Sequence, residues 1–195
     1  YEAEHANTNN STIKTTIDNW FAANMTEERS YLSEDSIYCN NRQMNDQSAD
    51  GYGKLGYGTN KTSYGRYRLY SNKRPDYRCS QANDQFTTTT ATKGNKKLTY
   101  PVGLITADET SFAGGVVEAK NSNFYLYTNQ SYYTFTPYGF SSKEPDVLYL
   151  ALDGTLSRIY VNYVRGVRPV VSLKSNTEVL KGNGTTSSPY EIRTN

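Results

Sequence analysis

The sequence predicts an α+β domain with two short helices, a twisted antiparallel sheet and long ordered loops. Three observations predict this class: apolar residues at helical spacing near the start, glycine and asparagine through the first half, and β-favouring runs in the last third. With 195 residues the chain is long enough for one well-filled core. We therefore expect a flexible leader or linker over residues 1–10 and a single domain over residues 11–195.

The first helix is predicted over residues 12 to about 24. Asn10 or Ser11 precedes this stretch and can cap its free backbone amides. Four apolar side chains then recur at the spacing of one helix face, and we expect this stripe, with Trp20 as a structural member, to face the core: Ile13, Ile17, Trp20 and Phe21.

A capping box predicts a second helix over about residues 107–113. Thr106 can accept a hydrogen bond from the third amide of that helix, while Glu109 reaches back to the amide of Thr106. Gly114 and Gly115 then supply a stop. Just upstream, residues 98–105 predict a buried strand, which Pro101 restricts to a sheet edge or an irregular entry.

Residues 35–84 are rich in Gly, Asn, Tyr and Arg, which predicts long ordered loops. The two cysteines, Cys39 and Cys79, lie about 40 positions apart with no second Cys or His nearby. A disulfide is the preferred interpretation, and two buried free thiols are the alternative. Five glycines oppose any long regular element here: Gly51, Gly53, Gly56, Gly58 and Gly65.

The last third of the chain is β in character, and turn residues such as Asp153–Gly154 separate its runs. The tail adds a turn over residues 182–185 and a short strand over residues 189–192, which is able to lie beside the opening of the domain. The predicted strands of the sheet are residues 124–127, 132–135, 147–152, 159–164 and 167–173.

Composition and motifs exclude several kinds of chemistry. The formal net charge of +2 supplies no long-range field toward nucleic acid, and no stretch approaches the roughly 18–20 apolar residues that insert into a bilayer. The sole histidine, His5, lies in the polar leader, so a Ser-His-Asp or Cys-His relay and a His-zinc site lack an evident member. We therefore expect no cofactor; a calcium ion stays open because oxygen ligands abound in the loops.

Paired carboxylates keep a glycan hydrolase open as an alternative function. Asp108 with Glu109 and Glu144 with Asp146 are the visible pairs. Capping and the helix dipole explain the first pair better. The second pair sits in a Pro-containing loop, where solvent would leave both acids ordinary, so we do not expect an enzyme.

Strings spread along the chain from residue 11 onward carry a family resemblance. The most specific is Gly166-Val167-Arg168-Pro169, which follows an Asp-Gly turn. The others are residues 11–14, 17–20, 38–42, 98–109, 113–115, 170–174, 182–185 and 189–190. Together they resemble a bacterial surface-protein domain family of the C-type-lectin-like fold, in the branch related to formylglycine-generating and sulfatase-modifying proteins.

The resemblance implies a C-type-lectin-like fold and an extracellular place on the bacterial cell surface. In such domains the arginine of the Gly-x-Arg segment is an internal strut that hydrogen-bonds loop carbonyls, a role that we carry onto Arg168. The enzyme branch uses two cysteines near its C-terminal end, whereas Cys39 and Cys79 lie early in this chain, so sulfatase-modifying activity is not expected. Some relatives display variable receptor surfaces just ahead of the Gly-x-Arg segment.

The residues ahead of that segment mix apolar anchors with Tyr, Asn and Arg, a mixture typical of binding surfaces. The 19 tyrosines of the chain also exceed what a core needs. We expect an adhesin- or receptor-like domain whose Tyr-rich surface binds a protein or glycan on another cell or a host; a structural subunit or tip module of a surface fibre or pilus is the alternative. The predicted ligand-binding residues are Tyr132, Tyr133, Tyr138, Tyr149, Asp153, Arg158, Tyr160, Asn162 and Tyr163, with Phe140 and Arg165 in the same stretch.

Overall fold

The chain has the α+β architecture that the sequence predicts, with few short helices. In place of the one antiparallel sheet that we expect, the described residues form several sheets, and the largest contains a parallel pair of strands. The computed structural model describes residues 10–43, 45, 61–89, 93–141, 144–185 and 187–194. The predicted leader, apart from Asn10, lies outside the described residues, and so do the loop glycines Gly51, Gly53, Gly56 and Gly58.

The first helix, α1, spans Thr12–Asn24, as the apolar spacing predicts. Ser11 is its N-cap, because the Ser11 hydroxyl accepts a hydrogen bond from the backbone N–H of Lys14 at 3.1 Å. A single 3-10 turn, Glu27–Tyr31, follows. The cap residue and the helix bounds thus agree with the sequence analysis.

The buried face of α1 is narrower than the predicted stripe. Ile17 and Phe21 are buried and pack with Leu32, Val102 and Leu104 in the first core cluster. Trp20 is 37% exposed, so its predicted place in the core is wrong. The reason is angular, since Trp20 lies about 100° around the helix from its neighbour Phe21 and falls outside the buried face.

The second predicted helix is α3, Ala107–Phe112, and its capping box is confirmed. The hydroxyl of Thr106 accepts from the N–H of Glu109 at 3.1 Å, and the carboxylate of Glu109 accepts from the N–H of Thr106 at 2.7 Å. Gly114 ends the helix with a φ of +116°, a conformation that favours glycine.

The stretch after residue 62 is more regular than the sequence predicts. Ser63 caps a short helix, α2, Tyr64–Arg66, which continues into a π-helical turn over Tyr67–Ser71. Gly65 lies inside α2, close to Thr136 of the main sheet. Gly65 therefore lies in a short helical stretch that packs against the sheet, which is compatible with the prediction that a long regular element is disfavoured here.

Among the described residues, the main sheet has five strands: β2 (Lys61–Thr62), β5 (Val116–Val117), β6 (Tyr132–Ser141), β7 (Glu144–Leu150) and β8 (Thr155–Tyr160). Their order across the sheet is β2-β6-β7-β8-β5. Neighbouring strands are antiparallel, except that β5 pairs with β8 in parallel at one edge. The predicted Asp153–Gly154 turn is confirmed between β7 and β8, where Gly154 has a φ of +80°.

Three two-stranded antiparallel sheets complete the fold. The predicted strand over residues 98–105 shrinks to β4, Gly103–Leu104, and the predicted strand over residues 167–173 shrinks to its partner β9, Pro169–Val170. The other pairs are β1 (Tyr38–Cys39) with β3 (Gln85–Phe86), beside a 3-10 turn over Ala82–Asp84, and β10 (Thr177–Lys181) with β11 (Glu191–Thr194).

Two strand predictions near the sheet are wrong. Residues 124–127 form a turn, in which the N–H of Tyr127 donates to the carbonyl of Phe124 at 2.9 Å. Both rings pack against a core cluster, so their apolar character reflects burial of a loop. The run predicted over residues 159–164 is strand only at residues 159–160, the end of β8, and the tail strand pairs with β10 instead of lying beside the opening of the domain.

The predicted disulfide between Cys39 and Cys79 is present, with a Cα–Cα distance of 5.8 Å. It joins β1 to the loop that precedes the 3-10 turn over Ala82–Asp84. Closing a loop of this length restricts the unfolded chain, which stabilises the native state.

Replacing both Cys39 and Cys79 by alanine is expected to lower the free energy of unfolding by about 4 kcal/mol, because the unfolded chain regains the entropy of the open loop. Urea unfolding of the oxidised protein and of the variant measures the difference. A loss below about 1 kcal/mol would show that the disulfide adds little to a scaffold that is already held in other ways.

Candidate functional site

Two arginine–aspartate ion pairs lie in the interior and hold the loops together. Nε of Arg42 lies 2.6 Å from Oδ1 of Asp84, and Nη2 of Arg68 lies 2.5 Å from Oδ2 of Asp108. None of the four side chains is more than 6% exposed. Buried charges persist only when they are paired and hydrogen-bonded, so each pair constrains the segments that carry it.

Asp108 connects three separate segments of chain. Its carboxylate accepts two hydrogen bonds from Arg68 of the π-helical turn, at 2.7 and 2.5 Å, and one from the backbone N–H of Asp76 at 2.9 Å. Arg68 also donates to the side-chain oxygen of Asn41 at 2.6 Å once the Asn41 amide is oriented to match. α3, the turn and the loop at residue 76 are thereby held in one arrangement.

These contacts involve acids of the two carboxylate pairs that the sequence offers for glycan hydrolysis. Asp108 is committed to Arg68, and Glu109 is committed to the helix cap, so neither acid is arranged as a free general acid or base. Asp146 lies in β7, not in a solvated loop, and is buried beside Arg158 at 2.8 Å. The expected solvation of Asp146 is therefore wrong, and the side chain of Glu144 lies outside the described residues.

Three of the predicted ligand-binding tyrosines are inside the protein. Tyr132, Tyr133 and Tyr138 are 3%, 3% and 7% exposed. Successive strand residues point to opposite faces, so burial of both Tyr132 and Tyr133 shows that β6 is covered on both sides. The prediction that these three rings face solvent is wrong, because other segments cover the faces of β6. Tyr132 packs in a core cluster with Ile105 and Leu150, and Tyr138 packs in another with Leu69 and Ala107.

The buried hydroxyls have partners, which is why tyrosine can occupy these positions. The hydroxyl of Tyr133 donates to the carbonyls of Tyr160 and Tyr163 and so fixes the loop after β8. Burial raises the pKa of Tyr133, which keeps the hydroxyl protonated as a donor. The hydroxyl of Tyr138 accepts from Nε of Arg66 at 2.9 Å.

The remaining predicted residues form a smaller surface than expected. The guanidinium of Arg165 lies over the rings of Tyr149 and Tyr163, at 5.9 and 5.6 Å from their centroids. Tyr163 is 53% exposed. Asp153, Arg158 and Asn162 are exposed and Tyr160 is half-buried, whereas the Phe140 side chain lies outside the described residues.

The contacts of Arg168 differ from those of the internal strut that the family resemblance implies. Its guanidinium carbon lies 4.3 Å from the ring centroid of Tyr132, and its Nη2 donates to the Thr128 hydroxyl at 2.8 Å. In the part of the chain that the structure describes, its contacts are thus a ring and a hydroxyl in place of the expected loop carbonyls. Arg168 is half-buried and faces an open cleft.

This cleft has a volume of about 610 Å³ and lies between α3, β9 and the loop over residues 124–127. Ile105 and Val170 contribute buried or half-buried apolar surface, and Arg168 and Glu109 contribute charge. Pockets of about 300–1,000 Å³ with an apolar lining and a few polar groups are typical of small-ligand sites. The size and lining therefore make this cleft the candidate binding site.

Three exposed aromatic rings line the cleft: Tyr77, Phe112 and Tyr125, at 66%, 50% and 81% exposure. The rings of Tyr77 and Phe112 stack on each other, with centroids 4.3 Å apart and planes at 18°. Large exposed rings that share one concave surface mark an interaction site more often than chance exposure does.

The other acids near the cleft are neutralised within the protein. A smaller pocket of about 90 Å³ adjoins it and shares Tyr77, Glu109 and Val170 with it. There Asp76 pairs with Arg78 at 2.6 Å, an interaction that lowers the pKa of Asp76 and raises that of Arg78. Asp108 is paired with Arg68. Arg168, by contrast, has no acidic partner among the described residues.

Sequence reasoning did not single out the three cleft aromatics or the buried ion pairs. Phe112 ends the predicted helix and Tyr77 lies two positions before Cys79, so both sit beside features that the sequence does show. Tyr125 lies in residues 124–127, which the sequence predicts as a strand and which form a turn in the structure. The strand prediction therefore gives no sign that Tyr125 is exposed beside the cleft. Nothing in a linear pattern indicates that these three positions meet.

Comparison with protein-family models, curated proteins and solved structures finds no match to this chain. Across the described ranges, no group of three His, Cys, Asp or Glu side chains is placed to hold a metal ion. Within the same ranges, no helix combines the length and apolar character that crossing a bilayer requires. The geometry of the cleft is therefore the basis for the function proposed below.

Replacing Asp108 by asparagine is expected to lower the free energy of unfolding by about 3–5 kcal/mol, because Arg68 is left buried without its counter-charge. The matched control is Asp153→Asn, at an exposed acid whose charge is screened by solvent, so a much smaller loss is expected. Urea unfolding at neutral pH compares the two. Equal losses would show that the interior pair is no more important than a surface charge.

Proposed function

We propose that this chain is an extracellular ligand-binding domain, adhesin- or receptor-like, and that its binding site is the cleft beside Arg168. The observation that carries the proposal is the exposed, stacked pair of Tyr77 and Phe112 in the same cleft as Tyr125. Such rings supply large contact area with few rotatable bonds, so little entropy is lost when a ligand binds.

The cleft is supported by rigid surroundings. Tyr77 follows Asp76, whose N–H is bound by Asp108, and Phe112 ends α3, which begins with the capping box. The Cys39–Cys79 disulfide fixes the same loop two residues further on. A preorganised site loses less free energy on ligand binding than a mobile one, which favours recognition by this surface.

The extracellular location rests on the disulfide, which persists in oxidising compartments. The C-type-lectin-like fold and the bacterial cell surface remain part of the proposal, and the strings that resemble that family support them. A ligand on another cell or on a host, either protein or glycan, fits a domain that presents ordered loops on a braced scaffold.

The double variant Tyr77→Ala/Phe112→Ala is expected to weaken binding of a captured ligand by about 30-fold or more, the effect of losing a hot spot. Its melting temperature is expected to stay near that of the native protein, because both rings are at least half exposed. A combined glycan and protein array selects the ligand, and biolayer interferometry measures the affinities.

The comparison variant is Tyr149→Ala/Tyr163→Ala, which removes two rings of the originally predicted surface. Normal ligand binding by this variant, together with loss of binding in Tyr77→Ala/Phe112→Ala, supports the cleft as the binding site. Loss of binding in the Tyr149 and Tyr163 variant alone would return the site to the predicted surface. Normal binding by both variants would reject both locations.

A structural subunit of a surface fibre is a second candidate, and the β10–β11 hairpin favours it. Val179, Leu180 and Tyr190 of this region are 59%, 52% and 58% exposed. Val179 and Leu180 are consecutive at a register shift of the hairpin, so two exposed apolar side chains lie side by side on it. A lone two-stranded hairpin is marginally stable in water, and contact with a second copy of the chain would bury this surface.

Sedimentation velocity over a concentration series tests this candidate. Self-association of the native protein that is lost in Val179→Lys/Leu180→Lys is the expected result if the hairpin joins copies, because the lysines oppose burial. Val164→Lys, at a side chain that is 90% exposed outside the hairpin, is the control. A native protein that remains monomeric up to about 1 mM would reject assembly through the hairpin.

A further inference from the structure

Arg168 lines the cleft and is positioned there by contacts with two other side chains. The guanidinium carbon of Arg168 lies over the ring of the buried Tyr132, 4.3 Å from the ring centroid, and Nη2 donates one hydrogen bond to the Thr128 hydroxyl. Thr128 uses only part of the donor capacity of a guanidinium. The group is thus held by two contacts within the protein, and donors remain for a planar anion such as a carboxylate.

The charge around the cleft favours an anion at this place. Glu109 is bound to the amide and hydroxyl of Thr106 at the positive end of α3, which partly neutralises its charge. Asp76 and Asp108 have their own arginines. Arg168 has no acidic partner among the described residues, so its positive charge is available to attract a negative group in the cleft.

The aromatic rings indicate what carries the anion. A sugar ring has flat C–H faces and a polar edge, and the first suits an exposed aromatic ring while the second suits water or an arginine. The stacked Tyr77 and Phe112 and the exposed Tyr125 offer such faces within the cleft that Arg168 lines. The cleft volume of about 610 Å³ accommodates a short oligosaccharide, within the usual range of ligand sites.

We infer that the cleft binds a sugar bearing a carboxylate, with a sugar face on the aromatic rings and the carboxylate on Arg168. This inference rests on the proposed function and adds the chemical class of the ligand. Binding needs no metal ion, because the cation that recognises the carboxylate belongs to the chain. An acidic peptide is the competing anionic ligand, but its flexible side chains offer no rigid face for the stacked rings.

Matched ligands test the inference on the native protein without any mutation. Oligogalacturonate is compared with its methyl ester, and sialyllactose with lactose, by isothermal titration calorimetry in the presence of EDTA. At least one acidic sugar is expected to bind about tenfold or more tightly than its neutral counterpart. Equal affinities within both pairs, or no binding of any acidic sugar up to about 1 mM, would overturn the inference.

Variants locate the carboxylate site. Arg168→Gln is expected to lower the affinity for the acidic sugar to that of its neutral counterpart and to leave the neutral sugar unchanged. Arg165→Gln is the matched control, since Arg165 also lies over tyrosine rings but outside the cleft. Thr128→Val keeps the charge and removes only the orienting hydrogen bond, so an intermediate loss is expected even if Arg168→Gln fails to fold.

The outcomes separate this inference from the proposed function. If neutral sugars bind as tightly as acidic ones and binding is lost in Tyr77→Ala/Phe112→Ala, the inference of a carboxylate ligand is rejected. The proposed binding site in the cleft then stands. Preference for acidic sugars that is unaffected by the Arg168 and Thr128 variants would place the carboxylate elsewhere and overturn the inference. A polyglutamate peptide that binds more tightly than every acidic sugar, in an Arg168-dependent way, would replace the sugar by an acidic peptide.

Discussion

The ion pair between Arg68 and Asp108 is the interaction on which much of the structure depends. Outside the main sheet, the described residues form only short helices and two-stranded sheets. Asp108 compensates for this by binding Arg68 and the N–H of Asp76 from the first turn of α3. A buried charge that loses its partner is costly, so the three segments are held in one arrangement. The stacked Tyr77 and Phe112 lie at the ends of two of these segments, and their contact follows from that constraint.

Tyrosine serves both the interior and the surface of this protein, which explains why the chain holds 19 of them. Tyr133 and Tyr138 fill the sheet while their hydroxyls bind carbonyls or an arginine. Tyr77 and Tyr125 instead expose most of their rings beside the cleft. The side chain allows both uses because its ring is apolar and its hydroxyl accepts or donates wherever a partner is near. Composition therefore indicates aromatic packing and aromatic recognition together, and cannot assign a given tyrosine to either.

Apart from the disulfide, the predictions of particular caps and turns that agree with the structure depend on residues close together in the chain. The Ser11 cap, the capping box of Thr106 and Glu109, and the Asp153–Gly154 turn each need only three or four consecutive positions. The strand predicted over residues 124–127 and the core place of Trp20 depend on distant packing, and both are wrong. The predicted ligand-binding stretch failed at Tyr132, Tyr133 and Tyr138 for the same reason, because other segments cover both faces of β6.

By itself, the sequence determined the α+β class, two helices with their caps, most of the central strands and the pairing of two cysteines. These features follow from backbone hydrogen bonding over short spans and from a count of two thiols. The tertiary structure alone decided which tyrosines are buried, which acids are neutralised, and that Tyr77, Phe112, Tyr125 and Arg168 line one cleft. Their separation along the chain is bridged by packing and buried charge, whose free energy depends on positions in space that no linear pattern records.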